Sequence, residues 1–349
     1  MEGIVAIFDF DKTIIDVDSD NWVVDELGFT ELFNELLPTL PWNTLMDTLM
    51  KRMHEQGVTI NQIAEVLTRI PIHPRVIPAI KAAHALGYVK IFTILENLNV
   101  ECWDLFLFRC DLRIVSDANT FFIEIILDHL GLRDYFSEFN TNPSYVDEEG
   151  RLRIHPHHDF TKSSHGCCNP CPPNMCKGEV IKRILSEVGN KKIIYLGDGS
   201  GDYCPSLKLR DGDHVLPRKD FPAWQLISAN PSLIRAKIHE WSDGADLERV
   251  LLSTIQDILL TGDYNTMSTS QFLSVDCKLE TMPMSSHELP KPLPGRPRHV
   301  CSAILHTQYP RTSSFGILPM KMPWESQGSR IMPISYLLRK QPAGLPVYH

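Results

Sequence analysis

The chain begins with a short apolar run that ends in acidic residues. Ile4–Phe8 are five consecutive apolar side chains, and residues 9–13, which read Asp-Phe-Asp-Lys-Thr, follow at once. A continuous apolar run of this length, bounded by polar residues, is typical of a strand buried on both faces. The run therefore predicts a buried strand that delivers two carboxylates and a hydroxyl to its carboxyl end.

Asp9 and Asp11 are separated by one residue. In an extended backbone alternate side chains point the same way, so the two carboxyl groups would lie close together. Two like charges at this distance repel unless a cation lies between them or one carboxyl carries a proton. Hard oxygen ligands suit Mg²⁺, and a metal-bound carboxylate beside a protonatable one suits phosphoryl transfer through an aspartyl intermediate. An Asp-rich turn without chemistry is the alternative for this pair taken alone.

Two further segments repeat the pattern of an apolar run followed by polar residues. Residues 112–117 end in Ser116 and Asp117 and precede a predicted helix, and a strand predicted over residues 192–196 runs into the glycine-rich segment 197–202. Strands that alternate with helices and carry polar residues at their carboxyl ends are typical of a doubly wound parallel sheet with its active site at those ends. The sequence therefore predicts an α/β fold.

The stretch between the first two predicted strands is helical. Four segments, at about residues 22–37, 44–56, 60–69 and 74–86, have helical patterning, and Gly87 follows the last at the position of a helix C-cap. The run is too long for a simple crossover connection. It predicts a small helical cap over the sheet, inserted after the first strand.

Composition narrows the class of protein. The 349 residues are enough for two domains, or for one domain with a large insertion. A net charge of −9 argues against a nucleic-acid scaffold, and no segment is apolar enough to span a bilayer. The amino terminus lacks the pattern of a signal peptide, and nine cysteines in such a chain are typical of reduced thiols. We therefore expect a soluble cytoplasmic protein whose partners are neither nucleic acids nor membranes; the sequence does not indicate its oligomeric state.

Four motifs occur in a fixed order along the chain. They are the Asp-x-Asp-x-Thr segment at residues 9–13, Ser116 at a strand end, Lys177 at a helix start, and the Gly-Asp-Gly-x-Gly-Asp segment at residues 197–202. This ordered set resembles the haloacid dehalogenase (HAD) superfamily of phosphatases over roughly residues 1–250. The resemblance implies a HAD-like doubly wound parallel sheet and a phosphatase that uses Mg²⁺ as its cofactor.

The resemblance implies a role for each catalytic or phosphate-binding residue. Asp9 would attack phosphorus, and Asp11 would protonate the leaving oxygen and then take a proton from water. Thr13 and Ser116 would donate hydrogen bonds to phosphate oxygens, and Lys177 would balance the charge that develops on them. Taken alone, Ser116 would be interpreted as a strand end and Lys177 as a solvated helix start.

The same resemblance implies a metal site. Mg²⁺ would be held by the carboxylates of Asp9 and Asp198 and by the backbone carbonyl of Asp11. Asp202 would have a supporting role, orienting Lys177 or a metal-bound water.

A narrower resemblance is carried by four segments: residues 8–22, 114–119, 155–158 and 171–178. They look like the phosphoethanolamine/phosphocholine phosphatase family, whose plant members include enzymes that act on pyrophosphate or other small phosphate esters. The family pattern implies substrate contact by Asp20 and Asp117, since a phosphomonoester with an ammonium head would favour carboxylates beside the phosphate. For Asp20 a helix N-cap is an equal alternative. The expected substrate is a small phosphorylated metabolite, with phosphocholine or phosphoethanolamine favoured and pyrophosphate as the alternative.

A segment rich in histidine and cysteine precedes Lys177. Cys168-x-x-Cys171 with nearby histidines has the spacing of zinc ligands, but a second Cys-x-x-Cys pair is missing. A loop of thiols and imidazoles packed near the site is the alternative. The members of the segment are His155, His157, His158, His165, Cys167, Cys168, Cys171 and Cys176.

The domain organisation follows from these patterns. We predict a catalytic core at residues 1–20 and 110–250, a cap at 21–87, an atypical insertion at 88–109 and a disordered tail at 264–349. In the family that the chain resembles, the helix that ends at Gly87 leads almost directly into the strand with Ser116, so our hypothesis for the insertion is a retained intron, a gene-model error or a splice variant. The insertion directly precedes the strand that carries Ser116 and Asp117. A displaced strand would misplace both residues. A catalytically impaired isoform with a binding or regulatory role is therefore the rival function.

Overall fold

The computed structural model describes residues 3–86 and 110–261. The strands are β1 (Ile4–Phe8), β2 (Cys110–Asn119), β3 (Phe136–Asn142), β4 (Ser144–Val146), β5 (Leu152–Ile154), β6 (Lys192–Gly197), β7 (His214–Pro217) and β8 (Lys237–Ile238). The helices are α1 (Ser19–Glu26), α2 (Thr30–Leu36), α3 (Trp42–Glu55), α4 (Ile60–Thr68), α5 (residues 76–86), α6 (Thr120–Leu130), α7 (Lys177–Val188), α8 (Tyr203–Ser206), α9 (Pro222–Ala229) and α10 (Gly244–Thr261). Gly87, the predicted insertion and the predicted tail lie outside the described residues.

Six of the strands form one parallel sheet in the order β3-β2-β1-β6-β7-β8. Strand β1 lies at its centre, and Phe8 pairs with Ile114 of β2 on one side and with Leu196 of β6 on the other. From β1 the chain continues to β2 and β3 on one side of the sheet, and it later forms β6, β7 and β8 on the other side. The strand order therefore reverses between β1 and β6, and such a reversal opens a crevice at the carboxyl ends of the strands.

Strand β1 is buried on both faces, as its apolar run predicts. Ile4, Ala6 and Phe8 contribute to one hydrophobic core, and Val5 and Ile7 contribute to the core on the opposite face of the sheet. This division is the two-residue alternation of a strand. The first core also includes residues of the helices α1, α3, α4, α5, α6 and α10, and the second includes residues of α7 and α9. These two cores hold the carboxyl end of β1 in a fixed position.

Helices α1–α5 lie between β1 and β2 in the chain, in the region where the sequence predicts helices. The single helix predicted over residues 22–37 is wrong, because α1 and α2 are separated at Gly28, whose φ is 78°. Helix α3 is attached to the antiparallel hairpin β4–β5: the Arg153 guanidinium donates to both oxygens of Asp47 at 2.9 and 2.8 Å. The hairpin therefore holds α3 through a residue in the interior of that helix.

The sequence predicts three of the six strands of the sheet. Strands β3, β7 and β8 were not predicted, and β8 comprises only two residues. Among the residues that the structure describes, no helix combines the length and the apolar character needed to cross a bilayer.

Candidate active site

Asp9 lies at the point where the strand order reverses. It directly follows β1, and its backbone N–H donates to the carbonyl of Leu196 at 2.9 Å. Its carboxylate oxygen Oδ1 accepts a hydrogen bond from the Phe10 N–H at 2.7 Å. Burial and the charge of Asp202 raise the pKa of Asp9 well above its ordinary value, although the charge of Lys177 opposes this shift. An ionised Asp9 therefore depends on its cationic neighbour.

Lys177 brings a buried positive charge to this carboxylate. It is the first residue of α7, as the sequence predicts, and it is 3% exposed. Its Nζ lies 2.8 Å from Asp9 Oδ2 and 2.9 Å from Asp202 Oδ1. Burial disfavours the ammonium, but the charges of Asp202 and Asp9 outweigh this effect and raise the pKa of Lys177 well above its ordinary value. Lys177 is therefore an ammonium that bridges two carboxylates.

Asp202 uses both of its carboxylate oxygens to hold neighbouring elements. Oδ1 accepts from Lys177 and from the Tyr195 hydroxyl, the latter at 2.6 Å. Oδ2 accepts from the N–H groups of Asp198 and Gly199 at 3.0 and 2.8 Å. With four donors on its two oxygens, Asp202 is placed to orient Lys177 and to fix the loop after β6.

A group of three carboxylates could hold a cation. Ligand oxygens of Asp9, Asp198 and Asp202 all lie within 4.8 Å of one another. Burial and the charge of Asp202 raise the pKa of Asp198 to about 7, and Thr13 Oγ1 donates to Asp198 Oδ1 across a long 3.5 Å. A hard divalent cation would relieve this repulsion and prefers oxygen ligands. The donor set therefore fits Mg²⁺, with Asp9 and Asp198 as the available carboxylates; the side chain of Asp11 lies outside the group.

Asp11 is an acidic side chain with an unusual environment. Its Oδ2 accepts from Ser19 Oγ at 3.1 Å, and its Oδ1 is buried without a hydrogen-bond partner in the described part of the chain. Burial and the charges of Asp18, Asp20 and Asp9 raise the pKa of Asp11 well above its ordinary value, and the Ser19 hydrogen bond opposes the shift only weakly. A protonated Asp11 next to an ionised Asp9 is an arrangement of acid and nucleophile.

Asp20 lies in the first turn of α1 and is 5% exposed. Its Oδ2 accepts from Trp42 Nε1 at 2.7 Å, and its Oδ1 is buried with no partner among the described residues. Burial and the charge of Asp18 raise the pKa of Asp20 to about 8. The alternative of an N-cap at Asp20 is wrong, because Asp18 caps α1 by accepting from the Asn21 N–H at 3.1 Å.

Ser116 and Asp117 differ in their exposure. Ser116 is fully buried near the end of β2, two residues beyond the pairing of Ile114 with Phe8, and its Oγ accepts from the Ala118 N–H at 3.2 Å. The Asp117 side chain is 47% exposed, and its Oδ1 lies 3.8 Å from Lys177 Nζ. Asp117 therefore presents a solvent-exposed carboxylate beside the buried ammonium of Lys177.

Several side chains at the site were not predicted. Tyr195, Trp42 and Ser19 contact Asp202, Asp20 and Asp11 in the bonds described above. Arg218 Nη1 donates to the carbonyl of Lys12 at 2.5 Å, where Lys12 has a positive φ of 53°. One signal was available, since a tyrosine in the otherwise aliphatic strand β6 needs a partner for its hydroxyl. The other three contacts have no local sequence signal.

Comparison of the sequence with known proteins identifies the family of this chain. Residues 4–103 and 105–255 match the model of a family described as "Putative Phosphatase". The chain is 59% identical over 278 residues to "Inorganic pyrophosphatase 1" of Arabidopsis thaliana, covering 78% of this chain and 86% of the relative. It is 57% identical over 283 residues to "Inorganic pyrophosphatase 2" of the same species, covering 79% and 92%.

A solved structure described as "Phospho-Aspartyl Intermediate Analogue of Phosphoserine phosphatase" is similar with a TM-score of 0.44 and 16% identity, over 72% of this chain and 99% of that one. The matched segments of the family model contain β1 with Asp9, the start of α7 with Lys177, and β6 with Asp198. The chain therefore belongs to this family of HAD-type phosphatases.

Proposed function

We propose that the protein is a Mg²⁺-dependent phosphatase that hydrolyses small phosphate compounds through an aspartyl-phosphate on Asp9, with inorganic pyrophosphate as its leading substrate. The observation that carries this proposal is the buried contact of Lys177 Nζ with Asp9 and Asp202, at the crevice where the strand order reverses. A carboxylate held ionised by a fixed ammonium beside further carboxylates is suited to phosphoryl transfer.

In the first step an Asp9 carboxylate oxygen attacks phosphorus. The new oxygen–phosphorus bond forms as the bond from phosphorus to the leaving oxygen breaks. Asp11, whose pKa is raised by burial and by the charges of Asp18, Asp20 and Asp9, gives its proton to that oxygen. Lys177 lies close enough to Asp9 to offset the negative charge on the transferring group.

In the second step water hydrolyses the aspartyl-phosphate. Asp11, now ionised, accepts a proton from the water as the water oxygen bonds to phosphorus, and the Asp9–phosphate bond breaks. Phosphate leaves, Asp9 is again a carboxylate and Asp11 is again protonated. Asp202 keeps Lys177 in place throughout, because its other partners, Tyr195 and the loop N–H groups, restrict its motion.

The carboxylates of Asp9 and Asp198, with the backbone carbonyl of Asp11, would hold Mg²⁺. When bound, the cation supplies Lewis-acid polarisation of the phosphate and neutralises its charge. Thr13, which contacts Asp198, and Ser116, three residues before the end of β2, are the hydroxyls proposed to bind phosphate oxygens.

Pyrophosphate is the leading substrate because both Arabidopsis relatives described above are named inorganic pyrophosphatases. The electrostatics support an anionic substrate. The pKa of Asp20, raised by burial and by the charge of Asp18 to about 8, leaves this carboxyl largely neutral near pH 7, and burial raises the pKa of Asp11 in the same direction. Both shifts reduce repulsion of a polyanion. The leaving group would be inorganic phosphate.

A small phosphomonoester with an ammonium head, such as phosphocholine or phosphoethanolamine, is the second candidate. Asp117 is half-exposed beside Lys177, and the buried Oδ1 of Asp20 has no partner within the described residues. An ammonium group near Asp20 would favour its ionised form and so restore an attractive charge.

Steady-state phosphate release by the full chain tests these assignments. Pyrophosphate, phosphocholine and phosphoethanolamine are compared in Mg²⁺ and in EDTA, with the wild type and the Asp20→Asn and Asp117→Asn variants. We expect the highest kcat/KM with pyrophosphate and loss of turnover in EDTA. Either variant should weaken hydrolysis of the amine esters more than that of pyrophosphate.

Two results contradict the proposal. Release of phosphate that EDTA leaves unchanged would exclude the Mg²⁺ mechanism, and absence of turnover with every substrate would favour the impaired isoform. Equal losses for all substrates in Asp20→Asn would exclude a headgroup role for Asp20.

A further inference from the structure

Four cysteine sulfurs converge beside the active site without forming disulfides. Cys167, Cys171, Cys176 and Cys204 are free thiols, and their sulfurs all lie within 4.8 Å of one another. We call these four residues the sulfur cluster. Cys176 is 4% exposed and Cys204 is fully buried, whereas Cys167 and Cys171 are half-buried. The cluster joins the segment before α7 to the helix α8.

The distances within the sulfur cluster match one particular arrangement. The Sγ–Sγ separations are 3.6 Å for Cys167–Cys171, 3.5 Å for Cys167–Cys204, 3.7 Å for Cys171–Cys176 and 3.8 Å for Cys176–Cys204. Sulfurs at the corners of a tetrahedron, each about 2.3 Å from a central zinc, are about 3.8 Å apart. A disulfide would bring two sulfurs to about 2.0 Å. The observed spacing is therefore that of four ligands around a common centre.

Asn169 supplies hydrogen-bond donors to two sulfurs of the cluster. The backbone N–H of Asn169 donates to Cys167 Sγ at 3.4 Å, and Asn169 Nδ2 donates to Cys204 Sγ at 3.3 Å. Hydrogen bonds of this kind to ligand sulfurs are typical of the shell around a metal centre. Gly178 leaves room for the closest sulfur, since a Cβ there would lie 2.4 Å from Cys204 Sγ.

The composition of the cluster differs from the zinc ligands suggested by the sequence. Cys168 is exposed and lies outside the group, so pairing Cys168 with Cys171 is wrong, and Cys204 was not predicted. His165 accepts from the Cys167 N–H at its Nδ1 and lies 3.1 Å from the Pro172 carbonyl at its Nε2. Both ring nitrogens of His165 are thus engaged with the backbone, which leaves an all-sulfur group.

The segment that carries Cys167, Cys171 and Cys176 has no regular secondary structure. Residues 155–176 contain no helix or strand, although they position the first residue of α7. Irregular segments of this length inside a compact domain are uncommon and usually require a specific means of order. The ligand spacings Cys167-x₃-Cys171-x₄-Cys176 are close to those of structural zinc sites.

We propose that the sulfur cluster binds one structural Zn²⁺ that fastens the segment before α7 to α8. Binding displaces the thiol protons, and the ion is held by four thiolates with no open position for water, so its role is structural. Cys176 directly precedes Lys177, and Cys204 lies two residues after Asp202. The zinc therefore fixes the two segments that carry the Lys177–Asp202 ion pair. This proposal does not depend on the substrate or on the phosphatase mechanism.

Metal analysis of the full chain tests the proposal. The protein is produced in zinc-supplemented medium and dialysed against a weak chelator. Its zinc content is then measured by plasma mass spectrometry. A mercurial that reacts with thiolates releases the bound zinc for a second, colorimetric measurement. We expect one zinc per chain in the wild type and in Cys168→Ser, and less than a tenth of that in Cys204→Ser. Reconstitution with Co²⁺ should give the thiolate charge-transfer and tetrahedral ligand-field bands in the wild type and in Cys168→Ser.

The wild-type measurements keep the test decisive if Cys204→Ser fails to fold. Wild-type protein without stoichiometric zinc, or with an octahedral Co²⁺ spectrum, overturns the proposal. So does mass spectrometry that shows disulfides among these four cysteines in freshly purified protein. Equal zinc loss in Cys168→Ser and Cys204→Ser would overturn the assignment of the ligands.

Discussion

The molecule places two groups of potential metal ligands side by side, and they are built in different ways. The carboxylate site, which consists of Asp9, Asp11, Asp198 and Asp202 with Lys177, is held by the ends of β1 and β6 and the start of α7. The sulfur cluster is held by an irregular segment and a short helix. Oxygen ligands suit a hard cation that must exchange contacts with substrate, whereas four thiolates suit a closed site.

The two groups are adjacent in sequence at both of their connections. Cys176 is followed by Lys177, and Asp202 precedes Cys204 by two residues. Asp9 directly follows a strand of the sheet, whereas Lys177 reaches it from α7 and is connected to the sheet through the side chains of Asp9 and Asp202. We therefore propose a division of tasks: the carboxylate site performs the chemistry, and the sulfur cluster keeps the ammonium of Lys177 in position.

The largest effect should come from Asp9→Asn. An amide oxygen is a poor nucleophile for phosphorus, so kcat should fall on the order of 10⁴-fold or more. Asp16→Asn, a change at an exposed residue of the same segment, is the matched control and should keep wild-type turnover. Phosphate release and zinc content are measured together. Asp9→Asn should retain its zinc, and turnover close to wild type in this variant would exclude the proposed nucleophile.

A smaller loss is expected for Lys177→Met. It removes the ammonium between Asp9 and Asp202 and should lower kcat roughly 10²- to 10³-fold. Two buried carboxylates also lose their partner, so the free energy of unfolding should fall by about 3 kcal/mol or more.

Lys182→Met, on the exposed side of α7, is the control for Lys177→Met. Its ammonium pairs with Glu179 at the surface, where solvent screening leaves an ion pair with little effect on stability. Urea unfolding and phosphate release of both variants give the comparison. Similar behaviour of the two variants would show that Lys177 acts only as a helix residue.

The sequence predicted the carboxylate site better than the sulfur cluster, and the reason is the separation along the chain of the residues that contact each other. Asp9 and Lys177 were identified through the ordered set of four motifs and the resemblance that it carries, since Lys177 taken alone would be interpreted as a solvated helix start. The contact of Trp42 with Asp20 joins residues 22 positions apart, and that of Cys204 with Cys167 joins residues 37 apart. Such contacts depend on how helices and loops pack, and spacing along the chain does not record that packing.

The fold shows the same limit. Strand β1 was predictable because full burial on both faces leaves a continuous apolar run. Strand β8 has two residues, both exposed, and therefore no apolar pattern to detect. Gly28 divided a predicted helix because a left-handed backbone conformation ends one helix before the next begins.

A third variant tests whether the sulfur cluster serves the carboxylate site. If the zinc positions Lys177, Cys204→Ser should lower kcat roughly 10- to 100-fold while all the carboxylates remain. KM should change less than kcat, because the substrate-binding hydroxyls lie on other elements. Cys168→Ser is the control and should behave as the wild type in both constants. A Cys204→Ser enzyme that lacks zinc but keeps full kcat would separate the two regions functionally.

Asp20→Asn is expected to have the smallest effect on pyrophosphate turnover, and its main effect should be on the pH dependence of stability. Burial and the charge of Asp18 raise the pKa of Asp20 to about 8 from 3.8. Because the folded-state pKa lies above the unfolded one, folding is favoured by the bound proton, and the contribution of Asp20 to stability falls as pH rises from about 4 to about 8. The amide that replaces this carboxyl in Asp20→Asn cannot ionise. The free energy of unfolding of Asp20→Asn minus that of the wild type should therefore increase between about pH 4 and about pH 8. At higher pH this difference should stay constant.

Urea unfolding across that pH range, without added Mg²⁺, measures the difference, and Asp16→Asn gives the reference curve for an exposed carboxylate. Parallel curves for Asp20→Asn and the wild type would show that burial does not perturb Asp20. A zinc–thiolate centre has the opposite dependence, because its ligands regain protons and release the metal as pH falls. Asp20→Asn should therefore remove a loss of stability that the wild type shows as pH rises from about 4 to about 8. Cys204→Ser should remove a loss that the wild type shows as pH falls, so one titration distinguishes the two regions by the sign of their pH dependence.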